Sequence, residues 1–324
     1  MATGLLINAL TGIGALVTLR VLYWAVQFLL YHFWRPSRPL TAYKRAGADS
    51  YALITGASAG IGLAIGRALV RQGFGVILLG HLPDELASAA KSLDSPNVRT
   101  LVVNARTATP AQIEEAVKSI SDLNVSILVN NVGGIPLADP PMRNLSTLTT
   151  AEVDAHVDLN ARFMARLTNL MLPVLSSSTK RGKGERSLIL NLSSGGRVGV
   201  PWLVMYSATK AFNYAFTTAL ARELEDDPAT AHIDCLAVVP GEVQSQSNVM
   251  AEGGPTSEVF GNAVVGGVDG AVKRKWRHIS PYWAHDLGLT LADHVLPESM
   301  VTHFAREELR LKKSRWDVIM AKRR

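Results

Sequence analysis

Short apolar runs alternate with longer amphipathic stretches from Ser50 onward. Six runs of five to seven residues, rich in Val, Leu and Ile, are typical of buried β-strands. They are Tyr51–Thr55, Gly75–Leu79, Val98–Val103, Val125–Asn130, Ser187–Leu192 and Ile233–Val239. Because helical segments separate them, the strands are expected to run parallel, with helices crossing between them. The pattern predicts an α/β domain built on a doubly wound parallel sheet.

A different pattern covers the start of the chain. The stretch from Gly4 to Trp34 is almost wholly apolar and contains one charged residue, Arg20, before Arg35–Arg38 and Lys44–Arg45 turn the chain basic. About 20 such residues are enough to cross the hydrocarbon of a bilayer. We therefore expect a membrane anchor, in which Arg20 either ends the span or reaches to the interface. The basic residues that follow favour a cytosolic location for the rest of the chain.

Composition narrows the range of partners. The 324 residues are 48% hydrophobic and 19% charged, and 33 Lys and Arg outnumber 27 Asp and Glu. The basic residues are spread out except near the two ends, which favours an anionic membrane surface or a phosphorylated ligand over nucleic acid. The one cysteine, Cys235, lies in an apolar run, so no disulfide can form within the chain. His278, His285, His294 and His303 lack the spacing of metal ligands, and we expect no metal site.

The first predicted strand leads into a glycine-rich turn, and a helix follows from Leu63. Glycines at positions 56, 60 and 62 let the backbone approach a pyrophosphate, which the N–H groups at the helix start can bind. Such a trio can also be a plain tight turn, but its place between strand and helix favours a dinucleotide site. The candidate cofactor contacts in this turn are Thr55, Gly56, Ser58, Gly60, Ile61 and Gly62.

The end of the second predicted strand bears on the choice between the two nicotinamide cofactors. In folds of this kind an acidic residue there binds the 2′-hydroxyl of NAD, and Leu79–Leu82 contains none. Gly80 leaves room for a 2′-phosphate and His81 can pair with it, so the sequence favours NADP(H) over NAD(H). An ordinary surface histidine is an equal alternative for His81.

Tyr206 and Lys210 lie in a predicted helix, and their spacing of four residues puts both side chains on one face. An ammonium there favours the phenolate, so it is expected to lower the pKa of Tyr206 toward the working pH. The phenol can then give a proton to a carbonyl oxygen or take one back. On its own, the same spacing is more often a solvated helix face.

Together these motifs have the order and spacing seen in the short-chain dehydrogenase/reductases, and the chain resembles that family from about Ser50 to Ser245. The resemblance is carried by Thr55–Gly62, Asn130-Asn-Val-Gly133, Asn160, Ser193, Tyr206 with Lys210, and Pro240-Gly241. It implies a Rossmann-type fold and a nicotinamide-dependent oxidoreductase.

The resemblance also implies a role for each catalytic candidate. Ser193 lies thirteen residues before Tyr206, which is the family's usual interval, and would bind the substrate oxygen, with Ser194 as the alternative. Lys210 would hold the nicotinamide ribose as well. Asn160 would position a water in a proton relay that reaches Lys210, or it could be a helix residue bonded to backbone.

Five further positions match cofactor contacts of the family. Asn131 would support the central sheet as well as the ligand. Asn104 stands where the family commonly has an aspartate for the adenine amine, and its amide oxygen can still accept a hydrogen bond. After Pro240, backbone groups of Val243 would meet the carboxamide, and Ser245 would touch the cofactor.

Within the family, the anchor, Leu128–Gly133, Tyr206–Lys210 and the tail around Pro255–Phe260 resemble the membrane-anchored very-long-chain 3-oxoacyl-CoA reductases and 17β-hydroxysteroid dehydrogenases. This implies reduction of a ketone on a lipophilic substrate, such as a 3-oxoacyl-CoA or a steroid, at the cytosolic face of the endoplasmic reticulum. A homo-oligomer is compatible with it. A tailoring ketoreductase of polyketide or terpenoid biosynthesis and a non-catalytic, membrane-tethered cofactor-binding scaffold stay open as alternatives.

The expected organisation therefore has three parts. Residues 1–45 form the anchor and a basic linker, residues 46–245 the dinucleotide-binding catalytic core, and residues 246–324 a substrate lobe with a basic tail. Apolar residues of the lobe between Tyr282 and Leu291 can line a lipid channel, rest on a bilayer or pack as ordinary core.

Overall fold

The computed structural model describes residues 2–34, 39–136, 140–177 and 184–322. It forms two compact units, residues 1–38 and 39–324. The basic residues Arg35–Arg38 and Arg323–Arg324 lie outside the described residues, so the expectations that involve them stay predictions.

The described residues of the first unit contain one helix, α1, which covers Ala2–His32. The segment Thr3–His32 has a mean hydropathy of 1.9, and it is long and apolar enough to cross a membrane by length and composition. The helix does not end at Arg20 but continues to His32. The expected apolar segment is thus one continuous helix.

The second unit is built on a seven-stranded sheet in which every pair of neighbouring strands is parallel. The strands are β1 Ser50–Thr55, β2 Gly75–Gly80, β3 Val98–Val102, β4 Asn124–Asn130, β5 Ser187–Leu192, β6 Ile233–Val238 and β7 His278–Ile279, in the spatial order β3-β2-β1-β4-β5-β6-β7. The predicted doubly wound sheet is confirmed. Strands β2 and β5 are buried over their whole length, which explains why they are unbroken apolar runs in the sequence.

Helices cover both faces of this sheet. They are α2 Gly60–Arg71, α3 Pro83–Ser92, α4 Pro110–Lys118, α5 Thr150–Val157, α6 Phe163–Ser176, α7 Val204–Asp226, α8 Ser257–Lys273, α9 Trp283–His294 and α10 Glu298–Ala321. Residues of α4, α6 and α7 form one buried cluster with β1 and β4. Helix α2 packs closely on α8, where a Cβ on Gly261 would lie 2.7 Å from the Cβ of Ala64.

The segment just before β1 is packed into the second unit. Tyr43 Oη donates to Asp234 Oδ2 at 2.8 Å, and Arg45 Nη2 donates to Ser187 Oγ at 2.8 Å. Both side chains are buried. The end of the expected linker is therefore fixed to β5 and β6.

The order of the strands also locates a ligand crevice. Strands β1 and β4 are neighbours although β2 and β3 come between them in the sequence, so the direction of winding reverses there. In open α/β sheets, ligands bind outside the carboxyl ends of the strands at such a reversal. Thr55 ends β1 and Asn130 ends β4, and the candidate site begins at these residues.

Candidate active site

The glycine-rich turn after β1 has a backbone that only glycine adopts easily. Gly56 and Gly60 have φ of +62° and +57°, in the left-handed region that a Cβ disfavours. A Cβ on Gly62 would lie 2.3 Å from the carbonyl oxygen of Gly56. Asn131 holds the turn by donating from Nδ2 to the carbonyls of Thr55 and Gly56, at 2.9 and 3.0 Å. These two hydrogen bonds support the structural role predicted for Asn131.

These contacts form a cradle that fits a dinucleotide. Thr55 Oγ1 accepts from the backbone N–H groups of Asn131 and Val132, at 2.9 and 3.0 Å, and so joins the ends of β1 and β4. Helix α2 begins at Gly60 inside the turn, and its first N–H groups have no partner within the helix, which suits an anionic pyrophosphate. Ile61 is half-buried in that first turn.

The end of β2 differs from the sequence expectation in one respect. His81 is exposed, but Gly80 is buried, and a Cβ on it would lie 3.3 Å from Leu86 Cδ2, so the room expected at Gly80 is occupied on that side. An acidic group is nevertheless close by, because Ser58 Oγ donates to Glu85 Oε2 at 3.2 Å. Leu79–Leu82 itself contains no acid, as stated from the sequence, and the carboxylate of Glu85 comes from the first turn of α3, beyond the strand end that the motif covers.

The remaining candidate cofactor contacts lie on two loops, after β3 and after β6. Asn104 is exposed after β3, and its Oδ1 accepts from the Arg106 N–H at 3.0 Å. Val243 is buried after β6, and Pro240 accepts from the Gly195 N–H at 2.8 Å. The Cβ of Ser245 would lie 3.4 Å from a Cβ on Gly60, so this loop borders the glycine turn.

Helix α7 carries the two residues of the predicted catalytic pair. Lys210 Nζ lies 5.8 Å from the centroid of the Tyr206 ring. The ammonium donates to the carbonyl of Leu192 at 3.1 Å, and burial lowers the pKa of Lys210 to about 8. The helical spacing therefore does bring the phenol and the amine together on one face.

Asn160 and Lys210 converge on the backbone of Gly133. A Cβ on Gly133 would lie 2.8 Å from Asn160 Oδ1 and 2.9 Å from Lys210 Nζ. The amide of Asn160 donates to the carbonyl of Gly134 at 2.9 Å and accepts from its N–H at 2.8 Å. Asn160 sits in a π-helical turn, Asp158–Arg162, a distortion that often marks a functional position. It also donates to the carbonyl of His156 at 3.1 Å, so the alternative of a helix residue bonded to backbone is observed, whereas its role in positioning a water stays a prediction.

The two serines after β5 point to different partners. Ser193 is 2% exposed and its hydroxyl donates to the backbone carbonyl of Lys210 at 2.7 Å. Ser194 is half-buried, and its hydroxyl hydrogen-bonds the Tyr206 phenol. The interval of thirteen residues selects Ser193, whereas the geometry puts Ser194 beside the phenol.

The pKa of the Tyr206 phenol differs from the value expected from the sequence. Burial raises the pKa of Tyr206, and the hydrogen bond from Ser194 and the charge of Lys312 only partly offset it. The expectation that Lys210 brings the pKa of Tyr206 down was wrong for the protein without ligand, because desolvation of the phenol dominates. A raised pKa makes the phenol a weaker acid, so proton donation from Tyr206 needs groups that stabilise the phenolate as it forms.

Two residues near this site, Lys312 and His285, were given no role in it by the sequence. Lys312, on α10, pairs with Glu242 at 2.9 Å and with Glu308 at 2.7 Å. His285, on α9, donates from Nε2 to the carbonyl of Glu242 at 2.9 Å. No motif marks these residues, because helices distant in sequence bring them to the loop after β6.

Alanine substitution separates the two serines. We expect Ser194→Ala to lower kcat about 100-fold, since it removes a donor at the phenol and the substrate oxygen. Ser193→Ala should keep kcat within about threefold and lower the free energy of unfolding by about 1 kcal/mol, since it removes one buried hydrogen bond. Steady-state kinetics and chemical denaturation of both variants measure the two effects. The reverse pattern would return the substrate contact to Ser193.

Comparison with known proteins gives matches in sequence and in fold. A family profile described as short chain dehydrogenase matches residues 50–253. The very-long-chain 3-oxoacyl-CoA reductase of Candida albicans is 30% identical over 268 residues, which are 77% of this chain and 73% of that protein.

Solved structures share the fold. A short chain dehydrogenase of Escherichia coli CFT073 complexed with NADPH has a TM-score of 0.61 at 20% identity, covering 71% of this chain and 95% of that one. The 3-ketoacyl-(acyl-carrier-protein) reductase of Brucella melitensis complexed with NADH has a TM-score of 0.58 at 24% identity, covering 66% of this chain and 88% of that one. The fold therefore occurs with either nicotinamide cofactor.

Proposed function

Because the chain belongs to the short-chain dehydrogenase family and is an oxidoreductase of it, we propose that it reduces a ketone on a lipophilic substrate, with Tyr206 as general acid. The observation that carries the proposal is the convergence of Asn160 and Lys210 on Gly133, next to the Tyr206 phenol and beside the glycine turn. A scaffold that binds cofactor without turnover has no need of that convergence.

In the proposed reaction, this chain's residues supply and position one proton. The bound reduced nicotinamide supplies the hydride. Tyr206 gives its proton to the ketone oxygen, and Ser194 holds that oxygen by a hydrogen bond. Lys210 stabilises the phenolate that remains and passes a proton back to it, and solvent replaces the proton of Lys210 through the water that Asn160 would position.

Residues at the glycine turn and the end of β2 would hold the cofactor. Gly56, Gly60 and Gly62 with the start of α2 would hold the pyrophosphate. We propose NADP(H), with the exposed His81 as partner of the 2′-phosphate, and with Glu85 weakening the preference because its carboxylate repels that phosphate.

This assignment makes a prediction for cofactor choice. We expect Glu85→Gln to raise the ratio of kcat/KM with NADPH to kcat/KM with NADH about tenfold, which corresponds to about 1.4 kcal/mol. The control is Glu114→Gln, a substitution at an exposed position of α4, which should leave the ratio unchanged. An unchanged ratio in Glu85→Gln would mean that its carboxylate does not face the ribose.

The substrate is proposed to be a 3-oxoacyl-CoA or another lipophilic ketone. The matched relative from Candida albicans carries the name of a 3-oxoacyl-CoA reductase. In the second unit, residues 246–324 would form the substrate lobe, in which α10 brings Lys312 near the phenol.

We further propose that α1 anchors the chain in the endoplasmic reticulum with the catalytic unit in the cytosol. Asn191, which begins a glycosylation sequon, is fully buried between Asn130 and Thr217, so a lumenal location would put a sequon where no glycan fits.

A substrate panel tests the proposal. The purified chain is mixed with NADPH, or with NADH, and with 3-oxoacyl-CoA thioesters of several chain lengths, steroid ketones and polyketide ketones, and loss of cofactor absorbance is followed. We expect turnover with a 3-oxoacyl-CoA to exceed that with the other classes. Turnover confined to polyketide ketones would favour a tailoring reductase instead, and none with any ketone would favour the scaffold.

A further inference from the structure

The loop after β6 connects the candidate cofactor site with α9. A Cβ on Gly241 would lie 2.6 Å from His285 Cδ2, so the imidazole packs directly on the loop backbone. His285 Nε2 donates to the carbonyl of Glu242 at 2.9 Å. Val243, whose backbone is expected to meet the nicotinamide carboxamide, is the next residue and is buried. The backbone of the expected contact is thus held from the side of α9.

The carboxylate of Glu242 is bound by α10. Its Oε1 lies 2.9 Å from Lys312 Nζ, and the side chains of Glu242 and Lys312 are only 19% and 16% exposed. Lys312 also pairs with Glu308 at 2.7 Å, one turn earlier in α10, but that carboxylate is 58% exposed. The shielded partner of Lys312 is therefore Glu242.

Further contacts tie α10 to the same loop. Arg315 Nη1 donates to the carbonyl of Met250 at 3.3 Å, and its Nη2 pairs with Glu252 at 2.6 Å. Leu309 is buried in a cluster with Met250. The contacts of Leu309, Lys312 and Arg315 together fit α10 to the loop after β6.

Lys312 stays charged in this partly buried place. Burial lowers the pKa of its ammonium, but the hydrogen bonds and charges of Glu308 and Glu242 outweigh burial, so the pKa lies above its ordinary value. Removing one partner of a shielded ion pair leaves the other charge desolvated and uncompensated. The position of Glu242 therefore depends on the positive charge of Lys312.

We propose that Lys312 is a positioning residue for the nicotinamide: by holding Glu242 it keeps the backbone of Val243 in place for the carboxamide. The proposal rests on the proposed function in one respect, because it takes the loop after β6 as part of the cofactor site. A loop that is ordered before binding loses less conformational freedom on binding, which raises affinity. Helix α10, expected to belong to the substrate lobe, would in this way also set the affinity for the cofactor.

Substitution of Lys312 tests the proposal in the full chain, purified in detergent. Lys312→Met removes the charge, and we expect it to raise the dissociation constant of NADPH about tenfold, since the loop is then less ordered before binding. Lys312→Arg keeps the charge and should bind NADPH within about threefold of the wild-type affinity. Arg310→Met is the matched control on the same helix, because the pair of Arg310 with Glu307 is exposed, and it should leave the affinity unchanged. Cofactor fluorescence measures each dissociation constant, with NADH titrated in parallel.

The other partner of the ion pair gives a second arm of the test. Glu242→Gln should weaken NADPH binding as Lys312→Met does, and the double variant should bind within about twofold of either single variant. Glu308→Gln removes the exposed partner and should change the affinity less than about twofold. Effects that multiply in the double variant, to about a hundredfold, would mean that Glu242 and Lys312 act independently and would overturn the proposal.

Hydrogen–deuterium exchange of the cofactor-free chain shows whether the loop itself changes. We expect peptides covering residues 241–252 to exchange at least about fivefold faster in Lys312→Met, and peptides covering β5 to stay unchanged. Faster exchange in β5 as well would assign Lys312 to overall stability, and weaker NADPH binding without faster loop exchange would assign it a direct contact with the cofactor. Either result would overturn the proposal, and so would an unchanged affinity in Lys312→Met.

The outcomes separate this proposal from the proposed function. Cofactor titration and hydrogen exchange need no turnover, so a chain that binds NADPH but reduces no ketone would contradict the proposed function and leave this test in force. A wild-type chain that bound neither NADPH nor NADH would contradict both.

Discussion

Tyr206→Phe is expected to lower kcat for ketone reduction at least about 1000-fold while changing the cofactor dissociation constant less than about twofold. The ring keeps its place next to Gly196, where a Cβ would lie 3.7 Å from Tyr206 Cε1, so packing is preserved. Only the hydroxyl bonded to Ser194 is lost. Steady-state absorbance gives kcat, and the fluorescence of bound reduced cofactor gives the dissociation constant.

Tyr214→Phe is the matched control, because Tyr214 lies on the same helix and bonds His278 Nδ1 through its hydroxyl at 3.0 Å. It should keep kcat within about twofold, since this phenol has no place in the proposed proton transfer. A Tyr206→Phe variant that kept a tenth of the wild-type kcat would mean that another group donates the proton.

Gly62→Ala is expected to raise the cofactor dissociation constant at least about 100-fold, as misplacing a bound group by about 1 Å can do. The added Cβ would lie 2.3 Å from the Gly56 carbonyl oxygen and 2.6 Å from Asn131 Nδ2. These atoms shape the turn that would hold the pyrophosphate, so the turn must open to admit the methyl group. Titration of cofactor fluorescence measures the change.

Gly288→Ala is the control for this substitution. Gly288 lies in α9, and a Cβ there would have no heavy atom within 4 Å, so cofactor affinity should not change. Thermal unfolding of both variants shows whether the sheet stays folded. A folded Gly62→Ala protein with wild-type affinity would mean that the turn does not hold the cofactor.

The fold could be predicted because its signals are local and repeated. Strands buried on both faces require unbroken apolar runs, as in β2 and β5, and the six runs correspond to β1–β6, although β3 has no buried residue. Strand β7 has two residues, His278–Ile279, too few to leave a pattern. Helix α10 has apolar residues on two opposite sides, so its periodicity does not tell which side faces the core.

Site features were predictable only where the motif itself places the side chain. The spacing of Tyr206 and Lys210 fixes their common helix face, so their proximity followed from the sequence. The direction of the backbone after β5 decides whether Ser193 or Ser194 faces Tyr206, and the number of residues between them does not determine that direction. Glu85 reaches Ser58 from a neighbouring helix, and a motif limited to the strand end cannot include it.

The central claim is hydride delivery to a ketone at this site, and isotope transfer tests it most directly. Reduced cofactor carrying deuterium at nicotinamide C4 is incubated with the chain and a 3-oxoacyl-CoA, and the product is analysed by mass spectrometry. The account predicts a 3-hydroxyacyl product with one deuterium at C3 from one of the two C4-deuterated epimers, and none in Tyr206→Phe over the same time. Absence of deuterated alcohol from the wild-type chain with every ketone tested would contradict it.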